Sequence, residues 1–397
     1  MASPKLRFKG FDSKWNKYKI SEVTEYLVDG THFSPKSTDG DFKYITSKNI
    51  RNDGLDLTQI SYISKEEHEV IYKRCKVQLG DILLTKDGAN TGNCCLNTLD
   101  EEFSLLSSVA VLRGKQGQFD NNFILQILQS DIGQNTIISS MSGQAITRIT
   151  LAKLKEYSFC FPHFEEQTKI ASFLSAVDEK IAQLTQKHEL LSQYKQGMMQ
   201  KLFSQQIRFK ADDGSEFGEW EFDKIRNTFT NKSKSFNPLL NENLPCIELE
   251  HLSPNTGQIL GTVNSKDQQS TKNLFEANSV LFGKLRPYLR KFAQPKFKGV
   301  CSSEIWVLTG IKISNEYLFH YVQSEQFSEL TNIQSGSKMP RADWSVISDA
   351  DIEYPCLEEQ TKIANFLSAI DQKIEVVAQQ IEQVKQWKKG LLQQMFV

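Results

Sequence analysis

The sequence predicts an α+β protein: two mixed α/β domains joined by two long antiparallel coiled-coil helices, related by a pseudo-twofold internal repeat. Three observations predict it. Residues 165–181 read EEQTKIASFLSAVDEKI and residues 358–374 read EEQTKIANFLSAIDQKI, identical at fourteen of seventeen positions at an offset of 193. Each copy opens a proline-free stretch with apolar residues alternating by four and three, the signature of a helix with one continuous seam. Each stretch follows a region of short β-type runs punctuated by Gly and Asn. The boundaries are 1–160 for the first domain, 161–206 for the first helix, 207–353 for the second domain and 354–397 for the second helix.

The chain has 397 residues, long enough for two or three domains, with 39% hydrophobic residues and 25 Phe to build real cores. Charge is balanced, 47 Lys plus Arg against 48 Asp plus Glu, so any basic surface has to be local. Seven Cys, with Cys94 and Cys95 adjacent and no Cys-x-x-Cys pair, indicate neither a disulfide framework nor a zinc site. The first twenty residues carry Lys5, Arg7, Lys9, Lys14, Lys17 and Lys19 without an apolar stretch suited to a signal peptide, and no run approaches a membrane span. A reducing cytoplasm is the expected compartment.

The first domain opens on Leu6-Arg7-Phe8-Lys9 and Trp15, and the second on Ile207-Arg208-Phe209-Lys210 and Trp220. Strands are expected at 42–45, 81–84, 108–112 and 305–308, and helices at 120–130 and 314–330. Both domains reach a Ser-Gly-x-x-x-x-Arg stretch, Ser142 to Arg148 and Ser335 to Arg341, and then Pro162 or Pro355, which ends the strand leading into the long helix.

In the first helix the seam runs through Ile170, Leu174, Val177, Ile181, Leu184, Leu191, Met198 and Leu202. In the second it runs through Ile363, Leu367, Ile370, Ile374, Val377, Ile381, Val384, Leu391 and Met395. Lys195 and Lys388 interrupt it at matching places, as polar residues that fix register do. Phe173, Phe366, Tyr194 and Trp387 flank the stripe, either completing packing within the chain or leaving an apolar face for a partner's helices. A helix of about 40 residues is roughly 60 Å long and needs an apolar partner to be stable. The nearest partner is its own copy, packed antiparallel.

The run from Asp29-Gly30-Thr31-His32 through Gly80-Asp81-Ile82-Leu83 and Gly88-Ala89-Asn90-Thr91-Gly92 resembles a target recognition domain of the specificity subunits of type I restriction–modification enzymes. The Ser-Gly-x-x-x-x-Arg stretch followed by Pro-x-x-Glu-Glu-Gln-x-x-Ile is similar to that family's conserved region. The resemblance spans essentially the whole chain. The second domain departs from it: Asn278-Ser279-Val280-Leu281 replaces the Gly-Asp-Ile-Leu form, with no Gly-x-x-x-Gly after it, which leaves its loop geometry open. The resemblance implies double-stranded DNA as a partner, with one half of a bipartite target read by each recognition domain and the gap set by the coiled coil. It also implies two methyltransferase subunits and two restriction–translocase subunits. S-adenosylmethionine, ATP and Mg²⁺ are then expected on those subunits and no cofactor on this chain.

Candidate DNA contacts follow from residue type. Residues 284–298, KLRPYLRKFAQPKFK, hold Lys284, Arg286, Arg290 and Lys291 with no acidic residue, and Arg286 or Arg290 could reach guanine in bidentate fashion. A strand pair with a solvated face is the plainer reading. In the first domain the corresponding residues are Lys86, Asn90 and Thr91, in a loop that suits either a phosphate contact or a tight hairpin turn. Arg148 and Arg341, with Lys338 beside the second, suit phosphate binding or a structural ion pair. Nothing points to catalysis on this chain: Asn237-Pro238 continues as Leu239-Leu240 rather than as an amino-methyltransferase motif, and no Walker A loop or metal-ligand spacing stands out. A protein-binding scaffold and a self-sufficient nuclease or methyltransferase are the competing readings.

Overall fold

The structure, a computed structural model, describes residues 4–37, 39–141, 148–333 and 340–397. The chain divides into two compact units, Met1–Lys187 with Val377–Val397, and His188–Val376. The division runs through both long helices rather than at their ends. Each unit therefore holds one variable domain, the first part of one long helix and the last part of the other.

The first unit is built on a four-stranded sheet in the order Thr24–Asp29, Val109–Gly114, Ile82–Thr85, Cys94–Leu96. A three-stranded sheet, Ser61–Ile63, Phe42–Ile45 and Ser104–Leu105, lies beside it in sequence. The second unit repeats the four-stranded order with Phe229–Thr230, Ile305–Gly310, Val280–Gly283 and Phe292–Ala293, and carries a five-stranded sheet where the first has three strands. In each unit a two-stranded ribbon joins the domain's start to the strand before the long helix: Asn16–Lys19 with Ser158–Phe161, and Glu221–Lys224 with Asp351–Tyr354. The strands expected at 42–45, 81–84, 108–112 and 305–308 are present within a residue or two.

The helix expected over 120–130 is Asn121–Gln129. The one expected over 314–330 is two helices, Asn315–Tyr321 and Glu325–Asn332. Ser324 breaks the run because its hydroxyl accepts from the Phe327 amide at 3.3 Å, capping a new helix. Ser130 does the same in the first unit, accepting from the Gly133 amide at 3.2 Å.

The long helices are Phe164–Phe203, 40 residues, and Leu357–Met395, 39 residues. Their starts explain the most repeated motif in the chain. Glu166 and Glu359 are fully buried, where a lone carboxylate would be expensive. Arg7 supplies a two-pronged partner, Nε and Nη2 each donating to Glu166 at 2.7 Å, and Arg208 does the same for Glu359 at 3.1 and 2.7 Å. Gln167 and Gln360 donate to the carbonyls of Pro162 and Pro355 at 3.0 and 2.8 Å. The Leu/Ile-Arg-Phe-Lys and Glu-Glu-Gln elements are thus two halves of one clasp, made once per unit.

Along the seam Ile170, Leu174, Val177 and Leu184 are buried in the first helix, and Ile363, Leu367, Ile370 and Val377 in the second; Ile181 and Ile374 are partly covered. Inside each unit the two helix segments meet through specific side-chain pairs. In the first, Phe173 meets Trp387 edge-on with ring centroids 6.0 Å apart, and Asp178 binds Lys388 at 2.6 Å. In the second, Lys195 binds Asp371 at 2.6 Å. At the offset of 193 these two ion pairs are the same pair made twice. The two core-register lysines are therefore charged residues with assigned partners.

Each domain's core is completed by the end of a long helix. Leu391, Leu392, Met395 and Phe396 join Trp15, Phe123 and Phe161 in the first unit, and Met199, Leu202 and Phe203 join Phe229, Tyr317 and Tyr321 in the second. Near its end the first helix buries Met199 more deeply than the expected Met198, because there it faces an α/β core as well as another helix. Among the described residues, no helix is long and apolar enough to cross a membrane.

Candidate nucleic-acid interface

One hairpin in each four-stranded sheet carries most of the candidate residues. In the first unit Leu84 pairs with Cys94, and in the second Phe282 pairs with Phe292, so both hairpins enclose nine residues, 85–93 and 283–291. The loops correspond one to one at an offset of 198. Backbone torsions bear this out: Gly80, Gly88 and Gly92 have φ of 82°, 97° and 100°, and Asn278, Arg286 and Arg290, 198 residues on, have φ of 66°, 52° and 47°. The loop geometry left open by the missing glycines is therefore retained. Asn tolerates the left-handed region through its short polar side chain. Arg has no such excuse, and each such residue is strained by about 1 kcal/mol or more.

Both loops are zipped to the arginine shared by the two units. Asp87 bridges to Arg148 along the backbone and Leu285 bridges to Arg341. The Ile149 amide donates to Lys86 O and the Ala342 amide to Lys284 O, each at 2.9 Å. Arg148 and Arg341 thus stand beside the hairpin tips, and both are exposed. Each has an acidic neighbour: Arg148 Nε lies 3.2 Å from Asp87, and Arg341 donates twice to Glu304 at 3.1 Å.

The remaining candidates separate clearly. Lys86 is not at the surface: it is 2% exposed, with Nζ 2.9 Å from Asp29, which is itself buried and also bound by Arg74 at 3.2 Å. Its ammonium is engaged inside the domain, and the expectation of a DNA contact there is withdrawn. Asn90 donates to Ser47 O at 3.4 Å and the Thr91 hydroxyl to Gly88 O at 2.6 Å, while the Thr91 amide also donates to Gly88 O. The hairpin-turn reading of this loop is the one the fold adopts.

In the second loop Arg290 donates to Gln323 O, has Glu325 at 3.7 Å, and so ties the loop to the turn between two helices. Lys291 Nζ donates to Leu249 O at 2.6 Å. Both are anchors. Arg286 is exposed, and its guanidinium has no hydrogen bond or ion pair among the described residues; Lys284, half-buried, likewise has none for its ammonium. Tyr288, 54% exposed, stands between Arg286 and Arg290. Lys338 lies outside the described residues.

Of the helix residues proposed to meet a partner, Phe173 and Phe366 pack on Phe8 and Phe209 inside their own units. Tyr194 and Trp387, equivalent at the offset of 193, are 51% and 52% exposed. Among the described residues no group of His, Cys, Asp and Glu is gathered as a metal site would be. Sequence reasoning misses the Arg7–Glu166 and Arg208–Glu359 clasps, whose arginine halves repeat at an offset of 201 and whose glutamate halves repeat at 193.

Comparison with known proteins decides the family. The family model for the type I restriction modification DNA specificity domain matches twice, at residues 12–193 and 219–386. The chain belongs to this family. Each match takes in one recognition domain and most of the long helix that follows it. The type I restriction enzyme MjaVIII specificity subunit of Methanocaldococcus jannaschii is 25% identical, over 95% of this chain and 91% of that one. The EcoDI specificity subunit of Escherichia coli is 23% identical over 65% of this chain and 64% of its own. The fold of the S subunit from M. genitalium matches with a TM-score of 0.63 at 16% identity, covering 100% of this chain and 99% of that one. The mixed α/β fold of this chain is thus similar to that of a solved S subunit.

Proposed function

We propose that the chain is a non-catalytic subunit that gives a type I restriction–modification complex its DNA sequence specificity. Each recognition domain reads one half of a bipartite target, and the paired long helices set the gap between halves. The observation that carries this reading is the hairpin made twice with one backbone geometry and different side chains. A common frame with exchanged residues at its tip is what two readers of different sequences require, since phosphate contacts position a protein and base-edge contacts specify. Arg148 and Arg341, present in both units beside the tips, suit the shared, positioning role. The loop tips differ, with Arg286 and Tyr288 in the second where the first has Gly88 and Asn90, and they suit the specifying role.

The helices recruit two methyltransferase subunits and two restriction–translocase subunits, with exposed Tyr194 and Trp387 each marking a recruiting surface of its own unit. S-adenosylmethionine, ATP and Mg²⁺ act on those subunits. The test is a domain exchange followed by genome-wide mapping of methylated positions. Replacing 1–160 with the corresponding domain of another specificity subunit, while keeping 391–396, changes one half of the methylated sequence and leaves the other intact. Change in both halves, or in neither, defeats the modular reading.

A further inference from the structure

We infer that Arg286 is the base-reading residue of the second recognition domain, and that the half-target this domain specifies contains a G·C pair contacted by its guanidinium. The inference rests on the proposed DNA-reading function and assigns one residue within it.

Four observations converge on this side chain. Arg286 has φ 52° and ψ 60° where the first domain has glycine, at Gly88 with φ 97°. Glycine is the default at a left-handed position of that kind, and any other residue there carries a cost in strain. The residue also precedes Pro287, which favours extended backbone before it, so the sequence itself works against this conformation. Second, the loop holds it there firmly. The Arg286 amide donates to Pro340 O at 2.8 Å, the Leu289 amide donates back to Arg286 O at 2.9 Å, and the Asn255 amide donates to Arg290 O at 2.9 Å.

Third, the loop's other left-handed arginine has side-chain partners inside the protein, and Arg286 has none among the described residues. Arg290 fastens the loop through Gln323 O and Glu325. The Arg286 guanidinium is exposed and has no partner among the described residues. Fourth, its surroundings suit a base edge better than a phosphate alone. A guanidinium presents two parallel donors that match guanine O6 and N7 in the major groove. Exposed Tyr288 beside it offers an apolar surface to a neighbouring base, and Arg341 at the loop's flank suits a positioning contact to the backbone.

Among the described residues the first domain has no equivalent at the tip: Gly88 and Ala89 carry no long donor, and Asn90 donates to Ser47 O. The two half-targets are therefore read by different chemistry at equivalent places.

The test uses the full chain in complex with its methyltransferase subunits. Methylated positions are mapped first, giving the two half-sequences. Duplexes carrying that target, and duplexes with each base pair of the second half exchanged in turn, are then titrated with wild type, Arg286→Gly and Arg286→Lys at several salt concentrations. Wild type discriminates against loss of one G·C pair in the second half by about ten- to hundredfold. Arg286→Gly abolishes discrimination at that pair alone and leaves the melting temperature equal or higher, because glycine relieves the left-handed strain. Arg286→Lys, which keeps the charge and loses the fork, falls short of wild-type discrimination.

Three outcomes overturn the assignment. The first is a second half with no G·C pair. The second is an unchanged ranking of base pairs in Arg286→Gly. The third is an equal weakening of all duplexes by Arg286→Gly with a salt slope lowered by about one, the mark of a phosphate contact. In each case a wild-type bipartite methylation pattern that responds to domain exchange keeps the function reading standing, so the two failures are distinguishable.

Discussion

Lys86 illustrates how residue identity alone misleads. A lysine just after a strand, beside a Gly-rich loop, reads as a phosphate contact. The fold buries it with Asp29, which Arg74 also binds and which His32 approaches at 3.6 Å. A buried pair of this kind is weak evidence of net stabilisation, but removing one member leaves the other charge uncompensated. Lys86→Ala is therefore expected to destabilise the first unit by about 3–5 kcal/mol, and Lys86→Met by less, since it refills the volume. Chemical denaturation measures both. If Lys86→Ala melts like wild type and only weakens DNA binding, the ammonium belongs to the interface after all. The opposite lesson comes from Arg286, Arg290 and Asn278. Their residue types argued against the hairpin of the first domain, yet the ladder pairs Leu281↔Ala293 and Phe282↔Phe292 fix the same loop length. Tertiary pairing overrode local preference, and no single-residue rule could have announced it.

At the scale of elements the long helices were the most legible part of the chain. A heptad seam needs only the spacing of apolar residues, and the buried residues follow it from Ile170 to Leu184 and from Ile363 to Val377. What spacing could not reveal is what meets the seam's polar interruptions. The helix Asn315–Tyr321 lays His320 against the second long helix, with Nε2 3.0 Å from the Ser368 hydroxyl and Nδ1 3.9 Å from Asp371, beside Lys195. The corresponding helix of the first unit, Asn121–Gln129, puts Gln126 there, donating to Asp178 at 3.0 Å. Burial first, and then the Lys195 charge, push the His320 imidazole down to about 3. An unfolded chain takes up this proton as pH falls through about 6.5, while the folded chain does not. The unfolded state thus gains protons first, and stability falls with decreasing pH between about 6.5 and 3, by at most about 1.4 kcal/mol per pH unit from this group. Above that window His320 contributes no pH dependence. His320→Gln, the residue of the first unit, should narrow the stability difference between about pH 7.5 and pH 5 by up to about 2 kcal/mol. Guanidinium melts at the two pH values decide it: an unchanged difference in the variant means the ring is already protonated or solvated in the folded state.

For the whole molecule, duplication with two offsets is the organising fact. The clasps of Arg7 with Glu166 and Arg208 with Glu359 fix where each helix starts relative to its domain, and the pairs Asp178–Lys388 and Lys195–Asp371 fix how the helices run past one another within each unit. If the paired helices set the gap between half-targets, their length is the quantity to change, and both must change together. An insertion in one helix alone would break one of the two Asp–Lys pairs and shift Leu391 to Phe396 or Met199 to Phe203 out of a domain core. One heptad added to each helix, near His188 and near Val377, keeps the seam in phase. It lengthens the paired segment by about 10 Å at 1.5 Å per residue, comparable to about three base pairs at the roughly 34–36 Å per turn of duplex. Three base pairs also turn the second half-target by about a third of the duplex circumference, whereas a heptad turns a helix face by only about 20°. The original spacing should therefore no longer be methylated, and any residual methylation should fall on targets with a longer gap. Base identity within each half should stay as it was, because the hairpins at 85–93 and 283–291 are untouched. Methylation mapped in cells carrying the lengthened chain reads both quantities at once. Continued methylation at the original spacing would remove the helices from the role of ruler, and altered bases within a half would mean that the recognition domains are not independent of them.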